Sequence, residues 1–368
     1  MSPHASPDAG PSAASAALDK AEVSRRHPRR GSYPPVSSVP FTSPQRLAQA
    51  AEDATSGPGE EASATVLYLA YGSNLSAETF LGARGIRPLS QVNVSVPTLR
   101  LTFDLPGVPY LEPCFANVGF MKLPEVPKLP DPTTPPVLPP LDPSQPGYKW
   151  DGRLMGVVYE VTPEDWRTIM RTEGAGSSYK EIVVPCIPIK PRITVPEKPP
   201  FPDLPRPFLA RTLCASYMPD SGDDDPRKRR WWYRLVTGRQ RPNPGYAQAS
   251  ARYLKLLQDG AGEHELPESY QQYLASLQPY TMTQGRQTIG QIVFLGAWAP
   301  LLIFVFTMTN FLADETGRLP RWLAGAVSGM FNLMWMSYDA IFKPVFGDGE
   351  RTESGDEEKV LLLANGTD

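Results

Sequence analysis

The stretch LYLAYGSNL (Leu67–Leu75) opens as a strand and closes as a turn. Leu67 to Tyr71 are apolar or aromatic, as a buried strand requires. Gly72, Ser73 and Asn74 follow, three small residues suited to a tight turn. A hydrophobic strand that runs straight into such bare backbone presents consecutive N–H groups, which together form a small anion nest. Gly72 also permits an approach that a side chain would block. The same residues equally fit a structural turn in which Asn74 caps a helix through 76–81, and the two roles are compatible.

The chain around this stretch has 368 residues, enough for one or two domains. Its 43 prolines are more than twice the average share, so much of it is not regular structure. With 36 basic and 39 acidic residues, charge is near balance, which argues against nucleic acid as the main partner. Cys114, Cys186 and Cys214 lie far apart without C-x-x-C spacing, so neither a disulfide framework nor a zinc site is expected. Only His264 lies outside the N-terminal tail, in the polar run DGAGEHELP, where it reads as a solvated surface residue. A Ser-His-Asp triad, a Cys-His pair or a histidine-rich metal site would have to be built on that one residue. Chemistry here is expected to run on carboxylates, tyrosines and backbone.

Residues 1–62 are rich in Ser, Ala, Pro and charge and read as a disordered tail, with the basic run RRHPRR at 25–30 and no apolar signal-peptide core. Residues 63–282 have a globular pattern, with strands expected over 66–71, 98–104, 115–120, 154–161, 179–189 and 208–218. Proline-rich stretches at 122–146 and 188–207 read as surface insertions of polyproline II character, suited to SH3-type partners or to no partner. Helices are expected at 162–173, with Thr162 as cap and Gly174 as stop, from the Asn-Pro pair at 243–244 onward, and at 266–277. Residues 225–234 mix five positive charges with three aromatics and read as a solvated loop or a contact for anionic lipid.

Residues 289–313 form an uncharged run of 25, long enough to cross a bilayer of about 30 Å. The stretch 322–346 follows, with Gly325 and Gly329 at small-xxx-small spacing. It reads as the return arm of a membrane hairpin, or as an interfacial helix anchored by Trp322 and Trp335. Residues 347–368 are a polar C-terminal tail.

Four landmarks follow one another: YGSNL; RTEGAGSSY with Glu173 and Tyr179; CASYMP with Tyr217; and PNPGY with Tyr246 opening a helix, followed by LPESY. In this order they resemble the gamma-glutamylcyclotransferase family over about residues 65–280. The resemblance implies an α+β fold, a small partly closed mixed β-barrel flanked by helices. It also implies release of 5-oxoproline from γ-glutamyl compounds, with no metal or organic cofactor. The family's catalytic glutamate falls on Glu173, its substrate loop on Tyr71, Gly72, Ser73, Asn74 and Leu75, and its pocket tyrosines on Tyr179, Tyr217 and Tyr246.

The reaction needs a group that takes a proton from the α-ammonium and returns one to the leaving nitrogen. A free Glu titrates near pH ~4.3, too acidic for an efficient base at neutrality. At the last turn of the 162–173 helix, the negative end of the dipole raises that value, as does burial. Glu181 shares the strand face of Tyr179 and is a rival acid or an exposed edge residue. The expected protein is a membrane-tethered cyclotransferase facing the cytoplasm. The alternatives are a non-catalytic interaction protein on the same fold, or a cyclotransferase for γ-glutamyl-amines or a secondary-metabolite γ-glutamyl adduct.

Overall fold

The computed structural model describes residues 33–56, 65–121, 150–172, 180–189, 206–215, 241, 245–312 and 320–353. In chain order the helices are α1 (Pro44–Ser56), α2 (Pro163–Thr172), α3 (Ala251–Glu263), α4 (Glu268–Ser276), α5 (Gly285–Leu312) and α6 (Arg321–Ser337). The strands are β1 (Val66–Ala70), β2 (Ser90–Val96), β3 (Leu99–Val108), β4 (Glu112–Phe120), β5 (Leu154–Val161), β6 (Lys180–Pro188) and β7 (Phe208–Cys214).

Five strands close a barrel in the order β1-β5-β2-β6-β7. All neighbours are antiparallel except β1 and β7, which meet in parallel at Tyr68↔Arg211 and make the barrel mixed. The expected partly closed barrel is therefore closed. Its central strand is β5, the run Leu-Met-Gly-Val-Val-Tyr-Glu-Val, buried at every position but Glu160. A strand covered on both faces reads as a near-continuous apolar run, which is why its bounds were legible. Gly156 is required there because a Cβ would fall 2.5 Å from the Ala70 carbonyl oxygen.

Strand β2 escaped the sequence reading. In Ser-Gln-Val-Asn-Val-Ser-Val the valines alternate with polar residues, yet Ser90, Gln91 and Ser95 are buried too. Those polar groups find partners: Gln91 Nε2 donates to the carbonyls of Val36 and Val39, at 3.0 and 3.1 Å. The same bonds correct the reading of 1–62 as wholly disordered. Residues 33–56 pack on the barrel through Val36, Val39 and Ala50, and Arg46 Nε meets Glu160 at 2.9 Å. Few apolar residues do this work, so composition conceals it.

Strands β3 and β4 form a separate hairpin whose tip, at Tyr110 (φ 63°), leans into a second core. There Tyr110 packs with Phe294 and Leu302 of α5, with Val327, Met334 and Trp335 of α6, and with Tyr338. Among the described residues one helical stretch, Gly285–Val305, is long and apolar enough to cross a membrane. Ile292, Val293, Leu301, Ile303 and Phe304 on it are exposed. The second expected segment, 322–346, is helical throughout: α6 runs without a break into a π-helical turn (Tyr338–Phe342) and a last α-helical turn (Lys343–Phe346).

The chain then comes back. Residues 347–353, read as the start of a polar tail, return to the barrel side with Asp348 and Glu350 only 6% and 3% exposed. Gly347 turns the chain at φ 89°, a conformation suited to glycine. Asp348 accepts from the Tyr246 hydroxyl at 2.5 Å, the Tyr338 hydroxyl at 3.1 Å and the Glu350 amide at 2.8 Å, and pairs with Lys343 at 3.0 Å. Burial pushes its carboxyl upward, but these donors outweigh burial and hold it below the ordinary range. Gln248 N–H donates to the Glu350 carbonyl and Tyr110 N–H to that of Gly349, at 2.8 and 2.7 Å.

Asp348→Ala therefore leaves several buried donors without their acceptor and removes one of the two carboxylates that Lys343 meets. It is expected to cost about 3–5 kcal/mol of stability, read as a lowered denaturant midpoint.

Candidate active site

Strand β1 leaves the barrel at Ala70, and the next residues form the wall of a small pocket of about 30 Å³. Tyr68, Tyr71, Gly72, Ser73, Ala116 and Tyr253 line it, with Asn74 and Leu213. The turn is a single tight one: Leu75 N–H bonds Gly72 O at 2.9 Å and Ser76 N–H bonds Ser73 O at 3.1 Å. Tyr71 donates its hydroxyl to the Leu213 carbonyl at 2.6 Å, tying the turn to β7. Asn74 Nδ2 donates to the Tyr68 hydroxyl at 2.7 Å. Among the described residues the N–H groups of Gly72 and Ser73 bond no acceptor. A Cβ at Gly72 would stand 3.2 Å from the Tyr253 hydroxyl, so any side chain there would fill the pocket.

Tyr253, like Tyr68, Ala116 and Leu213, is a pocket residue that the sequence did not announce. It lies in the first turn of α3, which starts at Ala251 with Ser250 as its cap, seven residues later than the Asn-Pro pair suggested. Ser250 Oγ accepts the Tyr253 N–H at 3.0 Å and donates to Glu112 at 2.7 Å. The Tyr253 hydroxyl accepts the Ala116 N–H at 3.1 Å, and its ring meets Phe115 edge-on at 5.2 Å. The available signal was a capping serine three residues before a tyrosine. Tyr246 does not join the pocket; it precedes the helix and binds Asp348 at the junction with the C-terminal segment.

Tyr71, Gly72, Ser73 and Asn74 all line the pocket, while Leu75 is fully buried behind them. Glu173, Tyr179 and Tyr217 lie outside the described residues. Helix α2 ends at Thr172, and its Trp166 packs 5.7 Å from the ring of the pocket residue Tyr68. Strand β7 ends toward Ala215, whose N–H is held by Asn117 at 2.9 Å. Glu181 is half-buried on β6 and paired with Arg211 at 2.6 Å.

His264 is a second correction. It is only 6% exposed, with Nε2 lying 2.8 Å from the Tyr159 hydroxyl and 3.2 Å from the Leu75 carbonyl oxygen. Polar neighbours in sequence suggested a solvated loop, but α3 continues to Glu263 and carries the ring into the core. Burial pushes its pKa down from 6.5 to about 4, so the ring is neutral at neutral pH.

Because the unfolded chain takes up that proton first, the associated stability is complete above pH 6.5 and is lost as pH falls toward about 4. The loss amounts to roughly 3 kcal/mol over that window. Denaturant midpoints across it are expected to drop in the parent chain and to drop less in His264→Gln.

Comparison with known proteins adds to this geometry. A family described as the AclK C-terminal domain matches residues 284–345, the helical part. The chain is 30% identical over 294 residues to gamma-glutamyl cyclotransferase gliK of Aspergillus fumigatus, covering 77% of this chain and 89% of that one. It is 30% identical over 298 residues to gamma-glutamyl cyclotransferase aclK of Aspergillus oryzae, covering 77% and 90%. A solved structure named gamma-glutamyl cyclotransferase aligns over 60% of this chain and 92% of that one, at 17% identity and a TM-score of 0.35, and the assignment does not rest on it. Relatives matched at this identity over nearly their whole length place the chain in the gamma-glutamyl cyclotransferase family.

Proposed function

We propose that the protein converts a γ-glutamyl amino acid or peptide to 5-oxoproline and the free amine. The observation that carries this reading is the turn after β1. Gly72 and Ser73, whose N–H groups bond no acceptor among the described residues, line a pocket shared with Tyr253 and with Tyr68, whose ring packs on Trp166 of the helix that ends one residue before Glu173.

In this reading the turn holds an anionic or carbonyl oxygen of the glutamyl group, as consecutive backbone donors do. The substrate's α-amine attacks its own γ-carbonyl. The new C–N bond closes a five-membered lactam, and the original γ-amide C–N bond breaks. Glu173 takes the proton from the attacking nitrogen and delivers it to the leaving nitrogen, so the carboxylate is regenerated. Both reacting groups belong to one molecule, so holding the glutamyl chain folded supplies much of the advantage. Tyr253 borders the glutamyl end of the pocket, and Tyr179 and Tyr217 complete the proposed site. Leaving groups in this reading include amino acids, amines and secondary-metabolite adducts.

The test is 5-oxoproline release from γ-glutamyl-alanine and other γ-glutamyl dipeptides by the full chain, since residues 347–353 support the α3 entry. Glu173→Gln keeps the shape and removes the titrating group. A loss of about 100-fold or more in kcat is expected, the range for general acid–base residues. Equal turnover would remove Glu173 from the mechanism, and silence of both proteins would count against the cyclotransferase reading for these substrates.

The proposal includes anchoring to a membrane, with the catalytic domain on the cytoplasmic side. Support comes from the length and apolar character of Gly285–Val305 and from its exposed Ile, Val, Leu and Phe side chains. The full chain is expected to float with phospholipid vesicles through a density gradient and to resist alkaline extraction. Recovery in the soluble fraction would overturn the anchor while leaving the chemistry untouched.

A further inference from the structure

The last turn of α3 grips the chain immediately downstream of the glycine-serine turn. Gly260 lies so close that a Cβ there would stand 2.5 Å from the Leu75 carbonyl carbon and 2.6 Å from Ser76 N. Glu263 Oε2 accepts the Ala77 N–H at 2.8 Å. His264 Nε2 lies 3.2 Å from the Leu75 carbonyl oxygen. Three consecutive residues, Leu75 to Ala77, are thus held from one helix end.

The histidine contact is the one that reaches the turn itself. The backbone bonds of the turn use the N–H groups of Leu75 and Ser76 and the carbonyls of Gly72 and Ser73. The Leu75 carbonyl is met by the imidazole. A carbonyl only accepts, so a hydrogen bond here requires the tautomer with hydrogen on Nε2; the Tyr159 hydroxyl oxygen lies 2.8 Å from the same nitrogen. The Tyr159 ring is fixed in turn by stacking on Phe80, with centroids 4.3 Å apart. The main chain of His264 is tied at both ends, its N–H to Gly260 O at 3.1 Å and its carbonyl to Asn93 Nδ2 at 2.6 Å. The imidazole has little freedom to be elsewhere, and its ring does not line the pocket.

An apolar side chain of similar size would fill the same space without burying a polar ring. Such a ring is retained at a cost unless its bonds specify a conformation. The conformation available here is the orientation of the Leu75–Ser76 peptide, which fixes where the preceding N–H groups point.

We propose that His264 is a positioning residue: its imidazole holds the Leu75 carbonyl and so aims the Gly72–Ser73 N–H groups at the substrate. In its effect on turnover this rests on the cyclotransferase reading, but the hold on the turn does not.

The experiment compares the parent full chain with His264→Leu and His264→Gln. The glutamine amide presents a donor toward the same carbonyl, whereas leucine keeps volume without a donor. With γ-glutamyl-alanine, His264→Leu is expected to raise KM about tenfold with kcat changed much less, as loss of one positioning hydrogen bond implies, and His264→Gln to recover most of it. Amide hydrogen exchange supplies a readout independent of activity. The Leu75 and Ser76 amides, which close the turn on Gly72 O and Ser73 O, should exchange about tenfold faster in His264→Leu than in His264→Gln, with the β5 amides unchanged. Equal KM and equal exchange in the two variants would overturn the proposal, as would faster exchange spread evenly over turn and barrel. Should the parent chain release no 5-oxoproline, the functional reading fails, and the exchange comparison still decides the role of His264.

Discussion

Strand β1 is held on both edges, antiparallel to β5 and parallel to β7, and the pocket depends on where that double pairing ends. At Ala70 the ladder stops against Gly156, whose missing Cβ lets the two strands close. One residue further, Tyr71 points its hydroxyl back to the Leu213 carbonyl of β7. The chain is thereby released from the barrel with its direction fixed, and the turn that follows inherits that direction. A backbone binding site needs such support, because N–H groups have no side-chain freedom with which to correct a misplaced strand.

Helix α3 supplies the other half of the constraint. Its first turn brings Tyr253 to the pocket and its last turn holds Leu75 to Ala77, so one rigid element touches the turn at both ends. The Ser250 cap fixes where that helix begins, and Glu112 fixes Ser250. Pocket geometry therefore passes through a chain of short polar contacts, each of which orients the next.

The sequence was legible where burial and periodicity agree. The continuous apolar run of β5 and the Thr162-Pro163 start of α2 are local signals with local causes. Strand β2 was not legible, because its buried Gln91 finds partners in the Val36 and Val39 carbonyls and its Ser90 in Thr42 and Glu160, which no local pattern announces. The same holds for His264, whose environment is assembled from Tyr159 and Leu75, over a hundred residues away. Tyr246 and Tyr253 are seven residues apart, nearly two helical turns, so spacing alone did not distinguish them. Only the position of the cap separates a residue at the domain junction from one in the pocket.

The apolar hairpin of α5 and α6 enters and leaves through one seam. Thr281 N–H bonds Thr352 Oγ1 at 2.9 Å, Arg286 pairs with Glu353 at 3.1 Å, and Gln248 bonds Glu350, two residues before the Ser250 cap. The hairpin is thus an insertion with both feet planted on the catalytic fold, a mooring without slack. The same seam includes Gln248, two residues ahead of the Ser250 cap, so the segment that ties down α5 and α6 also steadies the entry to the helix that carries Tyr253.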